Sequence, residues 1–311
     1  MTTKLAIVFP GQGSQSVGML ADLHQQFDVV KDTFTEASNA LGYDLWALVA
    51  NGPEADLNET QRTQPALLTA SVAVWRLWQQ QDGAQPAYFA GHSLGEYSAL
   101  VCAGVLSLAD AVKLVEKRGN YMQQAVPAGV GAMSAIIGLD DAAIATACEQ
   151  AAQGEVVSPV NYNSPGQVVI AGHKAAVERA GELCKAAGAK RALPLPVSVP
   201  SHCALMRPAA EKLAADLTAL NFNDAVIPVV NNVDVAVADN AATVKDALVR
   251  QLYSPVRWTE TIEWLSGQGV TDVLELGAGK VLSGLIKRID KNLAVASVGD
   301  VASLQAALAA E

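Results

Sequence analysis

Apolar positions recur along this chain in two rhythms, one of strands and one of helices. Leu5–Phe9 is an unbroken apolar run that stops at Pro10-Gly11, as a strand buried on both faces does. Helical spacing follows over residues 16–26, 29–41 and 66–80, the last opening after Thr63-Gln64-Pro65. A short apolar stretch at 87–90 meets Gly91, and helical periodicity resumes over 94–103 and 109–125. Pro127 and Gly129 then interrupt the pattern. Next come a strand at 132–137, a helix at 141–152, strands at 156–162 and 168–171, a helix at 175–187 and a strand at 192–197. That order, βαββαβ, is the ferredoxin-like unit. Pro127 and Pro200 bracket it, so residues 128–199 are expected to form a small domain inserted into a larger one built from 1–127 and 200–311. Beyond a helix at 205–220, strands at 227–230, 273–276 and 294–297 alternate with helices, which predicts an α/β fold with a mostly parallel sheet covered on both faces.

Composition narrows the class. Of 311 residues, 51% are hydrophobic and 17% charged, which suits a soluble enzyme with one large or two unequal domains and argues against disorder. No apolar run approaches the roughly 18–20 residues of a membrane helix. The start, Met1-Thr2-Thr3-Lys4, lacks the basic region and cleavage site of a signal peptide. Cys102, Cys148, Cys184 and Cys203 are widely spaced with no CxxC, and are expected as free thiols in a reducing cytoplasm, with no metal site. The formal net charge of −10 argues against a nucleic-acid partner. An anionic partner needs a local cluster, for which Lys185, Lys190 and Arg191, and Lys280, Lys287, Arg288 and Lys291, are the candidates; each also reads as an ordinary solvated face.

The strongest chemical signal is Gly91-His92-Ser93-Leu94-Gly95, a Gly-x-Ser-x-Gly between a short strand and a helix. This is the context of a nucleophile elbow, in which a tight turn presents the serine and the next helix aims its first N–H and its dipole at a developing oxyanion. A serine needs a base, and the chain has four histidines. His24 lies in a polar, Gln-rich helix and reads as exposed. His92 adjoins the serine on a sharp turn and should point away. His173 ends a strand of the small domain and reads as a turn residue. His202, after Pro200-Ser201, is left as the base. No Asp or Glu stands out as a third member, and a backbone carbonyl can hold the imidazole equally well, so a Ser–His pair is expected. At Phe9-Pro-Gly-Gln-Gly-Ser-Gln15 a glycine loop lacks the third glycine of a dinucleotide fingerprint and the Gly-Lys-Ser/Thr of a phosphate loop. Its expected use is a second oxyanion donor from the Gln12 backbone N–H. A similar loop, Gly277-Ala278-Gly279-Lys280, reads as a tight turn.

Together these elements resemble the malonyl-CoA:acyl carrier protein transacylases, over essentially the whole chain. Gly-His-Ser-Leu-Gly-Glu-Tyr at 91–97, the loop at 9–15, Arg118-Gly119-x-x-Met122-Gln123, Asn161-x-Asn163-Ser164-Pro165-Gly166-Gln167 and Pro200-Ser201-His202 follow in the family's order. The resemblance implies an α/β-hydrolase-like large domain with an inserted ferredoxin-like domain. It also implies transfer of malonyl from malonyl-CoA to the phosphopantetheine thiol of acyl carrier protein, supplying fatty acid synthesis, by a monomer with no cofactor beyond the CoA thioester substrate. By resemblance, Ser93 carries the malonyl ester, His202 is the base, and the amides of Gln12 and Leu94 form the oxyanion hole. The Gln251 main-chain carbonyl orients His202, Arg118 pairs with the malonyl carboxylate, and Asn161 lines the cleft. The acidic carrier is expected to dock on Lys190, Arg191, Lys287 and Arg288. Two positions depart from the pattern. Gly277-Ala278-Gly279 replaces the family's Gly-Pro-Gly, and Ser201 stands where many malonyl-selective polyketide relatives have Phe, leaving selectivity over methylmalonyl open. A serine hydrolase or thioesterase would use the same elbow, and a nucleotide-binding module would use the two glycine loops.

Overall fold

The computed structural model describes residues 4–197 and 199–310; the start read against a signal peptide falls on residues 1–3, outside the described residues. The chain opens with β1 (Leu5–Phe9), α1 (Ala21–Gln26), α2 (Asp28–Leu41), α3 (Leu45–Asn51), α4 (Glu54–Leu57) and α5 (Thr60–Gln80). It continues through β2 (Tyr88–Gly91), α6 (Leu94–Cys102) and α7 (Leu108–Ala125). Then follow β3 (Gly131–Ile137), α8 (Asp141–Ala152), β4 (Val157–Ser164), β5 (Gln167–His173), α9 (Lys174–Ala186) and β6 (Arg191–Pro194). After a short 3-10 turn at Ala204–Met206 come α10 (Arg207–Thr218), β7 (Val229–Val230), α11 (Ala241–Gln251), α12 (Trp258–Gly267), β8 (Asp272–Leu276), α13 (Val281–Ile289), β9 (Ala294–Val298) and α14 (Val301–Ala309).

Two sheets organise these elements. One has the order β7-β2-β1-β8-β9, with every neighbouring pair parallel. Its central strand β1 is fully buried from Ala6 to Phe9, as its unbroken apolar run requires. The other has the order β4-β5-β3-β6, with every pair antiparallel. With its strands numbered within the unit, that order is 2-3-1-4, the arrangement of a ferredoxin-like βαββαβ unit. Sheet β4-β5-β3-β6 also touches the larger layer through main-chain bonds: Tyr162 N–H donates to the Val256 carbonyl at 3.0 Å and Val256 N–H to Val160 at 2.8 Å.

Local details depart from the sequence expectation where tertiary packing overrides propensity. Helix α5 begins at Thr60 rather than 66, with Pro65 inside it. Proline there removes one i→i−4 bond. Packing holds the earlier start in place: a Cβ on Gly119 of α7 would fall 2.7 Å from Gln61 Cα, and the Thr63 hydroxyl donates to the Leu57 carbonyl at 2.6 Å. Helix α1 starts at Ala21 instead of 16, because Gly18 and Leu20 take left-handed backbone and the Gly18 N–H donates to Val49 at 2.8 Å. Helices α3 and α4 were not legible; α3 is nucleated by Asp44, whose carboxylate accepts from the Ala47 N–H at 2.9 Å.

Candidate active site

Phe9, at the end of β1, pairs with Gly91, at the end of β2, so the loops that follow these parallel strands emerge side by side. Adjacent carboxyl ends of this kind are where open α/β sheets gather ligands. After β2 the chain turns through Ser93 at φ 52° and ψ −110° and enters α6 at Leu94. Such a conformation costs a non-glycine residue on the order of 1–3 kcal/mol and persists only where its surroundings enforce it. The neighbouring glycines permit it. A Cβ on Gly91 would lie 1.9 Å from the Gly95 carbonyl carbon, and one on Gly95 would lie 2.1 Å from the Phe9 oxygen. The Ser93 N–H donates to Asn232 Oδ1 at 2.8 Å, and Asn232 Nδ2 donates to the Gly91 carbonyl at 2.7 Å, clamping the turn from both sides.

His202 comes to the serine from 109 residues away, its Nε2 2.8 Å from Ser93 Oγ. Its Nδ1 lies 2.7 Å from the Gln251 carbonyl. Gln251 ends α11, where helix carbonyls lack an intrahelical N–H donor, so the carbonyl takes Nδ1–H and leaves Nε2 free to accept the serine proton. Burial, and then the charge of Arg118, hold the His202 pKa down at about 3, so the imidazole is neutral at physiological pH. The other histidines are engaged elsewhere. His92 Nε2 sits 2.8 Å from Asn163 Oδ1, and His173 Nδ1 accepts from the Val156 N–H at 2.9 Å. His24, read as simply exposed, is instead half-buried and stacked on Trp46 with ring centres 3.7 Å apart.

Arg118, read as one of three consecutive charges, is turned inward by α7 and is 1% exposed. Its Nη1 donates to Gln64 Oε1 at 2.8 Å; its Nη2 donates to Gln251 Oε1 at 2.9 Å and to Ser93 Oγ at 3.3 Å. Among the described residues no carboxylate pairs with it, and its Nε is buried without a hydrogen-bond partner. Burial lowers its pKa from the usual arginine value. A desolvated guanidinium held by neutral amides, beside a nucleophile, is a seat for an anion.

Ser93, His202 and Arg118 open into a cleft of about 480 Å³, also lined by Gln12, Leu94 and Asn161. The β1 loop lies against the elbow so closely that a Cβ on Gly11 would fall 2.5 Å from the His92 oxygen. Leu94 is the first residue of α6, so its N–H belongs to the unpaired set at a helix start. Asn161 Oδ1 is buried with no partner. The second glycine loop has a different use. Glu275, fully buried, accepts from the Leu282 N–H at 3.1 Å and the Ser283 N–H at 2.7 Å, filling the α13 N-terminus that a phosphate would occupy.

Three of the four basic residues named for docking share one corner. Arg288 Nη1 donates to Gln167 Oε1 at 2.9 Å; Gln167 pairs with Ile137, which pairs with Arg191, and the Lys190 N–H donates to Ile137. Lys287 is exposed in the last turn of α13. Four residues along β3 separate Ile137 from Met133 in the cleft wall, which is about 13 Å.

Sequence reasoning missed Gln64, Asn232 and Glu96, all buried and all wired to the site. Only Glu96 carried a signal, as a charge inside the apolar α6. Among the described residues no group of His, Cys, Asp and Glu could hold a metal ion, and no helix is long and apolar enough to cross a membrane.

The Acyl transferase domain family model matches residues 6–304. The Malonyl CoA-acyl carrier protein transacylase of Salmonella typhimurium (strain LT2) is 66% identical over 306 residues, 98% of this chain and 99% of that protein. The crystal structure of an acyl carrier protein S-malonyltransferase from Vibrio cholerae is 70% identical with a TM-score of 0.96, covering 98% of this chain and 99% of that one. A malonyl-transacylase solved in complex with its type II PKS acyl-carrier protein is 63% identical with a TM-score of 0.98, over 99% of this chain and 100% of that one.

Proposed function

The chain belongs to the acyl transferase domain family, and on that premise we propose that it moves malonyl from malonyl-CoA to the phosphopantetheine thiol of an acyl carrier protein through an ester on Ser93. The observation that carries this reading is the buried Arg118 guanidinium, 3.3 Å from Ser93 Oγ and without a carboxylate of its own. The acyl group that enters brings the carboxylate that can pair with it directly.

In the cycle we infer, Ser93 Oγ attacks the thioester carbonyl while His202 Nε2 takes its proton. Negative charge collects on the carbonyl oxygen, facing the amides of Gln12 and Leu94. Collapse expels the CoA thiolate, which recovers the proton from His202. The carrier thiol then gives its proton to His202, attacks the ester, and releases Ser93 as its hydroxyl. The Gln251 carbonyl supports the imidazolium in both half-reactions. Asn161, with its orphaned oxygen, serves as a polar contact for substrate in the cleft wall. The cycle draws on the CoA thioester and the carrier thiol as substrates and calls on no bound cofactor. The cycle belongs with the fatty acid synthesis machinery of the cytoplasm, where the four free cysteines stay reduced. Residues 128–199 supply one wall of the cleft, through Met133, Asn161 and Leu195, and 1–127 with 200–311 carry the catalytic pair.

The test is intact-mass analysis of the protein after malonyl-CoA exposure without carrier. A persistent malonyl adduct on Ser93, discharged on adding holo carrier, is the expected result. Rapid malonate release with no adduct would instead make the protein a hydrolase.

The acidic carrier docks, in this reading, at the corner of Lys190, Arg191 and Arg288, with Lys287 exposed next to Arg288, and its flexible arm spans the about 13 Å to the cleft. With a net charge of −10 the rest of the surface repels it. Reversing Lys190, Arg191 and Arg288 to Glu should lower kcat/KM for the carrier by about tenfold or more at low ionic strength, with Ser93 loading by malonyl-CoA unchanged. Unaltered carrier kinetics in that variant would place docking elsewhere.

A further inference from the structure

Glu96 is 2% exposed, in the first turn of α6, three residues beyond the nucleophile. Its Oε2 accepts from the Asn232 N–H at 3.0 Å and from Gln251 Nε2 at 2.9 Å. The other end of the same Gln251 amide, Oε1, accepts from Arg118 Nη2 at 2.9 Å. A buried anion and a buried cation are thus joined head to tail through one amide dipole. Among the described residues Arg118 has no direct carboxylate partner, and a lone buried charge is strongly disfavoured. Among the described residues, Glu96 is the carboxylate whose charge bears on Arg118.

Glu96 also faces away from the substrate. It lines a second pocket of about 180 Å³, with Asn231, Asp224 and Asp239 in its wall, that shares no lining residue with the catalytic cleft. Asp224, Asp239 and Asn240 are exposed, so this rear pocket reaches solvent and can deliver a proton to Glu96 without crossing the substrate.

We propose that Glu96 is the counter-charge of Arg118 before loading, acting through the Gln251 amide, and that it takes up a proton from the rear pocket when malonyl is placed on Ser93. The inference rests on the malonyl-transfer reading above. Once the malonyl carboxylate pairs with Arg118, the Glu96 charge is surplus and faces a second anion through the same amide. Protonation removes it. Acylation itself is proton-neutral, since the serine proton leaves with the CoA thiol, so any proton taken up belongs to a side chain. Burial already raises the Glu96 pKa to about 7, against the opposing pull of the Asn232 and Gln251 donors and of Arg118. A further rise on loading opens a window above that value in which the loaded enzyme holds one more proton. The other charged groups near Glu96 do not replace it. Asp234 is forked by Arg250 at 2.7 and 2.8 Å, Tyr97 keeps its proton with a pKa pushed up to about 12, and His202 is tied to Ser93 Oγ and the Gln251 carbonyl and held to low basicity by burial. Glu96 is therefore a positioning residue: it sets the Gln251 amide and the charge state of the anion seat without touching substrate.

The experiment mixes the protein with malonyl-CoA or acetyl-CoA in weakly buffered solution with an indicator dye, and quantifies the adduct by mass. At about pH 7.5 malonyl loading should take up a large fraction of one proton per adduct, and acetyl loading none. Glu96→Gln should abolish the uptake while still loading malonyl, because one side-chain oxygen accepts both native hydrogen bonds and glutamine keeps that oxygen. Persistent uptake in Glu96→Gln would assign the proton to His202 and overturn the inference. In the unmodified protein, the equilibrium constant for malonyl loading should fall by up to about tenfold per pH unit above 7 while that for acetyl stays level; parallel curves would overturn it too. No malonyl adduct at all would defeat the underlying reading, whereas an adduct formed without proton uptake defeats this inference alone.

Discussion

Ser93→Ala should abolish the malonyl adduct, and His202→Ala should slow its formation by about 10²- to 10⁴-fold, the usual contribution of a positioned general base. The two effects arise from one hydrogen bond, 2.8 Å between Ser93 Oγ and His202 Nε2. An alcohol at neutral pH is a poor nucleophile until its proton has somewhere to go. Removing the imidazole leaves the elbow and the amides of Gln12 and Leu94 intact, so residual transfer above background is expected in His202→Ala and none in Ser93→Ala. The double variant should match Ser93→Ala alone, because residues acting as a unit are not additive. The His202 pKa of about 3 adds a pH signature. Because the base must be neutral, its own titration should cost activity only in strong acid, near that value, and not through the usual histidine range. A persistent adduct in Ser93→Ala would move the nucleophile elsewhere; Cys203, at 1% exposed and with its thiol pKa pushed up to about 11, is a poor substitute. The readout is adduct mass and single-turnover loading rate between pH 4 and 9.

Arg118→Ala should lose malonyl transfer by roughly 30- to several-thousand-fold, the equivalent of about 2–5 kcal/mol for breaking a desolvated, hydrogen-bonded charge pair. The same change should raise acetyl transfer relative to malonyl, since an acetyl group leaves the guanidinium unpaired in the unmodified protein. A second effect runs in the same direction. After burial, the charge of Arg118 is the largest influence holding His202 to low basicity. A malonyl carboxylate neutralises that charge on arrival, so the correct substrate strengthens the base that acts on it, while acetyl does not. Arg118→Lys should fall between, because an ammonium cannot reproduce the fork that now holds Gln64, Gln251 and Ser93 together. The deciding measurement is the ratio of malonyl to acetyl specificity constants in the three proteins, since truncation also orphans the Gln64 and Gln251 oxygens and lowers both rates. A constant ratio would reduce Arg118 to a structural residue.

The sequence by itself determined those features whose causes are local. The apolar run of Leu5–Phe9 demands a doubly buried strand, and β1 is one. Gly91 and Gly95 flank Ser93 because the turn brings β2, α6 and the end of β1 too close for any Cβ, a constraint carried by five consecutive residues. Counting histidines and asking what else each could do pointed to His202, which lies 2.8 Å from Ser93 Oγ. The alternation of strand and helix read between residues 131 and 197 likewise specified a βαββαβ order that the second sheet adopts, its last strand ending earlier, at Pro194.

Tertiary structure alone decided the rest, because the causes lie far apart along the chain. Gln251 reaches the site across 49 residues from His202 and 133 from Arg118, and only family resemblance pointed to its carbonyl. Its side chain, with Gln64 and Asn232, had no local signature: a buried amide is chosen by what it must satisfy, and those partners come from other elements. Arg118 follows Glu116 and Lys117 in sequence and looks like solvated surface. Helical rotation of about 100° per residue turns it alone into the core, where α5, α6 and α11 supply its neighbours. The start of α5 was misjudged for the same reason, since packing against Gly119 outweighs the local preference of a proline. Sequence periodicity reports what each segment does to itself. The charge balance between Arg118 and Glu96 exists only once separate segments have excluded water from the space between them.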